Sequence, residues 1–109
     1  MNSMTEPFLP PVLAEALRRL PDEVLEANEP VEIFLFGSRA SGKANPRSDF
    51  DIGIRAAHPL DGREMAAIRD RLEALPILQT VDVVDFSRVS PEFESVAMRD
   101  RIVLYERKA

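Results

Sequence analysis

Two aspartates stand one residue apart in "SDFDIGI" (residues 48–54), shortly after a glycine and a serine in "FGSRASGKANPR" (36–47). Alternate residues of a strand share a face, so Asp49 and Asp51 project together while Phe50, Ile52 and Ile54 point to the opposite, apolar side. Neighbouring carboxylates repel and raise each other's pKa. A divalent cation relieves that repulsion, and an all-oxygen donor set suits Mg²⁺. The pair alone is also what two solvated acids at the start of a strand look like, so a further ligand has to decide. "TVDVVDF" (80–86) offers two more acids on opposite faces, Asp82 and Asp85. Acids are seldom buried without a partner. Asp82, the inner of the two, is expected to complete a three-carboxylate cluster with Asp49 and Asp51. Asp85 is the competing candidate, with a strand-end turn or helix cap as its other role.

Gly37 and Ser38 sit where an apolar segment stops. A glycine admits a ligand close to the backbone, and the amides that follow can form a concavity for phosphate. Ser38 adds a hydroxyl donor, and Arg39 and Lys43 are cations within reach of the same loop. An ordinary strand-ending turn has the same composition; what sets this one apart is the pair of acids behind it. Arg47 and Ser48 are explained equally well as turn residues. His58, the single histidine, precedes Pro59 in a turn and reads as a surface residue.

The elements that must carry these residues follow from periodicity. Val12, Leu13, Leu17 and Leu20 predict an amphipathic helix from Pro11, interrupted at Pro21, with Asp22 capping a further turn through Leu25. "VEIFLF" (31–36) is a buried strand, "DFDIGIR" (49–55) a second, and "SGKANPRS" between them a loop or one helical turn. Asp61 and Glu64 make a capping box for a helix whose core face is Met65, Ile68, Leu72 and Leu75, ended by Pro76. "TVDVVDF" is a third strand. Ser90 and Pro91 open a helix to about Arg99, and "IVLY" (102–105) adds a short strand. The expectation is α/β: one small mixed sheet flanked by helices, a single domain over 1–109 with a loose leader at 1–10.

Composition narrows the class. With 109 residues, 45% hydrophobic and 30% charged, the chain has the make-up of a small globular domain. Its net charge of −5, without a Lys/Arg block, argues against nucleic acid as a direct partner. The absence of cysteine removes disulfides and thiolate metal sites. No apolar run approaches a membrane span and the N-terminus has no signal-peptide pattern, so a soluble cytoplasmic protein is expected.

The run "FGSRASGKANPRSDFDIGI" (36–54), with an acid on a later strand, resembles the signature of the nucleotidyltransferase superfamily that includes DNA polymerase β. The G-S-R-x-x-G form, the short length and the closing "SPEFESVAMRDRIVLYER" (90–107) resemble the minimal nucleotidyltransferases of prokaryotes. The resemblance implies a polymerase β-like palm, with Gly37 and Ser38 on the phosphates of a nucleoside triphosphate. It implies Asp49, Asp51 and Asp82 as catalytic acids around two Mg²⁺. Gly53 departs from the commoner larger aliphatic, and Phe50 separates the acids; neither occupies a ligand position. It further implies transfer of a nucleoside monophosphate, AMP from ATP, to a hydroxyl of a small helical HEPN-type partner, the chain being the antitoxin of that pair. Two alternatives are a non-catalytic antitoxin that acts by occlusion and a small-molecule nucleotidyltransferase completed by a helical subunit.

Overall fold

The computed structural model describes residues 9–26, 28–43, 45 and 47–108. Its elements run α1 (Pro11–Glu23), β1 (Val31–Phe36), α2 (Ser38–Ser41), β2 (Phe50–Ala56), α3 (Gly62–Glu73), β3 (Val81–Asp85), α4 (Pro91–Arg99) and β4 (Ile102–Arg107). The four strands form one sheet in the order β3-β2-β1-β4. β1 pairs antiparallel with both β2 and β4, and β2 pairs parallel with β3. The parallel pair needs a crossover, and α3 supplies it.

Strand alternation sorts the side chains into two layers. Ile33, Leu35, Phe50, Ile52, Ile54 and Val83 face α1 and α3, where Leu13, Leu17, Leu20, Ile68 and Leu72 close the main core. The other face carries Phe34, Phe36 and Phe86, against which Ala97 and Met98 of α4 rest. Gly53 belongs to this second face. A Cβ there would lie 2.4 Å from the Phe34 ring and 2.6 Å from that of Phe86, so the missing side chain is what lets both rings pack against β2. The Phe34 and Phe86 rings meet edge-on at 4.8 Å.

Sequence patterns set most of the boundaries. At α3 the Glu64 amide donates to Asp61 Oδ1 (2.7 Å) and the Asp61 amide to Glu64 Oε1 (3.0 Å), the reciprocal box expected. At α4 the Phe93 amide donates to Ser90 Oγ (3.1 Å). The first helix is a correction. It runs through Pro21 to Glu23 instead of breaking, and Asp22 lies inside it, not as a cap. Proline forfeits one helical hydrogen bond. Here it does so in the last turn, and its ring is buried on the same stripe as Leu17 and Leu20. Of the expected leader, residues 1–8 lie outside the described residues, and Leu9 packs against the core. Among the described residues no helix is long and apolar enough to cross a membrane.

Candidate active site

The predicted residues come from three places that the sheet brings to one corner. β1 delivers Gly37 at its end, β2 delivers Asp51 and the preceding Asp49, and β3 delivers Asp82. In the β1–β2 register Phe36 faces Asp51, so the glycine turn starts beside that acid. In the parallel β2–β3 register Asp51 faces Asp82, and adjacent strands are ~4.8 Å apart. Both acids therefore share the α4 side of the sheet, opposite the apolar Phe50 and Ile52. Burial first, then the Asp82 carboxylate, then that of Asp49, hold the Asp51 carboxyl above its ordinary pKa. The charges of Asp82 and Asp49 are thus both felt at Asp51.

Asp85, the competing candidate, is committed elsewhere. Its carboxylate is buried at the end of β3 and accepts from the Leu60 amide (2.8 Å), the Ser87 amide (3.0 Å) and Ser87 Oγ (2.7 Å). Arg88 Nε stands 3.3 Å from it. Burial alone would raise its pKa, but the Ser87 hydroxyl, the Leu60 and Ser87 amides and Arg88 together bring it below the ordinary value. Asp85 fastens the β3–α4 turn to the β2–α3 loop.

Gly37 has two reasons to be glycine. Its φ of 77° lies in the left-handed region. A Cβ would also stand 2.3 Å from Asp51 Oδ2, so any side chain would displace the carboxylate. The glycine turn and Asp51 thus lie against each other, which their separation in the sequence does not reveal. The one-turn helix α2 follows, closed by left-handed Gly42 and the Lys43 amide on the Ser38 carbonyl (2.9 Å). Ser38 is half-buried and Lys43 exposed.

Arg39 is occupied within the loop. Its Nε and Nη2 donate to the Ser48 carbonyl (3.1 and 2.8 Å), and Nη2 reaches the Asn45 carbonyl (3.4 Å). Its guanidinium carbon lies 4.0 Å above the Phe50 ring centre. His58 is exposed as expected: Nδ1 donates to the Pro59 carbonyl (3.0 Å), the main cause of a raised pKa, and Nε2 lies 3.9 Å from Glu29.

Among the described residues no three His, Cys, Asp or Glu side chains stand in a ready-made metal-holding arrangement. The donor chemistry nevertheless fits Mg²⁺, which is ordinarily held by one or two carboxylates with substrate phosphates and water completing its octahedron. The mutual repulsion at Asp51 is what such a cation would relieve. A cavity of about 490 Å³ runs along β3 from the end of α3; Asp82, Thr80 and Val84 line it, beside Leu75 and Ile77.

Comparison with known proteins decides the family. The model of the family described as "Polymerase beta, Nucleotidyltransferase" matches residues 22–109. The chain belongs to that family. It is a nucleotidyltransferase of polymerase β-like fold. Over 76 residues it is 28% identical to a probable protein adenylyltransferase MntA of Haemophilus influenzae, covering 70% of this chain and 67% of that protein. Among solved structures it resembles a toxin-antitoxin bound to AMP-PNP, with TM-score 0.66 and 26% identity over 84% of this chain and 72% of the other. A tri-AMPylated Shewanella oneidensis HEPN toxin in complex with MNT antitoxin shares the fold, with TM-score 0.61 and 22% identity over 84% and 68% of the two chains.

Proposed function

We propose that this nucleotidyltransferase moves AMP from ATP to a hydroxyl side chain of a small helical partner of HEPN type, as the antitoxin of a toxin-antitoxin pair. The observation that carries the reading is the register that sets Asp82 beside Asp51 with Gly37 against the latter's carboxylate. The likeness to a probable protein adenylyltransferase of Haemophilus influenzae and to a toxin-antitoxin with AMP-PNP supports the donor and the setting.

The chain's residues divide the work. Gly37 and Ser38 border the triphosphate, and Lys43 lies exposed on the same loop. Asp49 and Asp51 would hold Mg²⁺, whose charge would offset that of the triphosphate and of the acceptor's oxyanion. The acceptor oxygen bonds to the α-phosphorus as the bond to pyrophosphate breaks, and Asp82, exposed at the edge of the cluster, takes the hydroxyl proton. Charge is conserved and no enzyme-linked intermediate is needed. The cavity beside Asp82 gives the acceptor side chain its approach.

The test pairs this chain with the helical protein encoded beside it, labelled ATP and Mg²⁺. Intact-mass measurement should find one or more AMP units on the partner, absent with the Asp49→Asn/Asp51→Asn double variant. A partner that stays unmodified, yet is silenced equally by wild type and double variant, would replace transfer by occlusion.

A further inference from the structure

Arg39 stands out because sequence reasoning would spend its charge on the triphosphate, whereas its guanidinium faces the chain itself. Asp49 precedes β2, whose first residue is Phe50, so the sheet does not hold this acid directly. The two residues flanking it are both held by Arg39. Ser48, on one side, offers its carbonyl to Nε and Nη2. Phe50, on the other, is 1% exposed and its ring centre lies 4.0 Å from the guanidinium carbon above it. The turn before Ser48 is internally braced: the Ser48 amide donates to the Asn45 carbonyl (3.0 Å), the Asn45 amide to Ser48 Oγ (3.1 Å) and the Arg47 amide to Asn45 Oδ1 (2.8 Å). Arg39 thus joins a braced turn to a buried ring, and Asp49 hangs between them.

We propose that Arg39 is a positioning residue that fixes the backbone of Asp49 so that its carboxylate meets Mg²⁺ together with Asp51, and that it is not a phosphate ligand. The proposal rests on the nucleotidyltransferase reading of the site. A guanidinium fork is required, since one carbonyl takes donors from two of its nitrogens while its central carbon sits over an aromatic ring. Lysine keeps the charge but offers neither, so charge and geometry separate in a single substitution.

The experiment titrates Mn²⁺ into the full chain with AMP-PNP present, following free Mn²⁺ by electron paramagnetic resonance, and separately measures AMP-PNP binding without metal. Partners that orient a metal ligand typically govern affinity by about 10–100-fold, so Arg39→Lys should weaken Mn²⁺ by that factor. Metal-free AMP-PNP binding should stay within about twofold, and in turnover assays kcat should fall with little change in KM for ATP. Phe50→Leu, which keeps the apolar filling and removes only the stacking face, should weaken Mn²⁺ in the same direction by a smaller factor; it carries the test if Arg39→Lys does not fold. Wild-type Mn²⁺ affinity in the variants overturns the proposal, as does a tenfold loss of metal-free AMP-PNP binding in Arg39→Lys, the mark of a phosphate ligand. Weakened Mn²⁺ in a protein that transfers nothing to its partner would sustain Arg39's role and defeat the acceptor reading. Normal Mn²⁺ in a transferring Arg39→Lys would do the reverse.

Discussion

The two faces of the sheet are built to different standards. Under α1 and α3 the strand residues Ile33, Ile52 and Ile54 are fully buried, and both helices contribute residues of the same kind. Under α4 the layer is thin. That helix has no buried residue, and its Phe93 and Val96 remain 43% and 62% exposed. An Arg55–Glu94 ion pair joins β2 to it at the surface, an interaction that contributes little to stability. The difference teaches where chemistry can be housed. Carboxylates that repel one another cost free energy, and they are affordable only beside a packed layer that supplies the stability they withhold. Asp51 and Ile52, adjacent in β2, belong to opposite regimes.

The sharpest way to break this comparison is to change those two neighbours. On the proposed reading, in which Asp51 is a metal ligand at the reacting centre, Asp51→Asn should reduce transfer by about a thousandfold or more. It should also raise the melting temperature at neutral pH. The sign follows from linkage: a carboxyl whose native pKa is raised binds its proton more tightly folded than unfolded, so stability falls as pH climbs above the unfolded value. Asparagine removes that penalty, and the gain should vanish at pH 3. Calorimetry at both pH values, with transfer assays alongside, would show it; a destabilised and active variant would end the argument. Ile52→Ala should do the opposite, costing about 2–5 kcal/mol while folded molecules still transfer. Urea unfolding gives that cost.

Smaller effects sharpen the boundary. Asp85→Asn should cost about 1–3 kcal/mol, the usual consequence of disrupting buried hydrogen bonds to a charge. Its native pKa is lowered, so the stabilisation is present above the unfolded value and is lost as pH falls through the native one. Wild type and variant should therefore converge in acid, and turnover should change little. A loss of turnover larger than that in Asp82→Asn would mean that the two aspartates of β3 had been assigned to the wrong tasks. Phe93→Ala, on the thin layer, should cost only about 1 kcal/mol, since nearly half of its surface is exposed already. A penalty equal to that of Ile52→Ala would show that the α4 layer is as firmly packed as the other.

Much of this was legible in the residues, for local reasons. β1 and α4 occupy the expected spans because an apolar run between Pro30 and Gly37, and a Ser-Pro start, are decided by neighbours. Alternation placed Asp82 and Asp85 on opposite faces, and the cost of burying a charge implied partners for whichever was covered; Asp85 is the buried one and has them. What was not legible depends on contacts distant in sequence. β4 continues two residues beyond "IVLY" to Arg107, whose Nε and Nη2 donate to the Glu29 and Glu26 carbonyls (2.9 and 2.6 Å) in the α1–β1 connection. α1 passes through Pro21 because the tertiary core accepts the ring. The charge of Arg39 is visible in the sequence, and the Ser48 carbonyl that its Nε and Nη2 meet is not.

The connection between β2 and β3 has a consequence for the order in which the site forms. Gly37 and Asp51 are brought together by an antiparallel pair, β1 with β2, that closes over one short loop. Asp82 arrives only after the whole of α3 has crossed the sheet and β3 has docked in parallel. Pairings of high sequence separation form slowly, since the entropy of the long loop is lost before any contact repays it. The Gly37–Asp51 half of the site should therefore assemble early and Asp82 join it late. In a pulse-labelling experiment the β1 and β2 amides should gain protection before those of β3; simultaneous protection would show a single cooperative event. A nascent chain synthesised only as far as α3 would own Gly37, Asp49 and Asp51, and still lack Asp82.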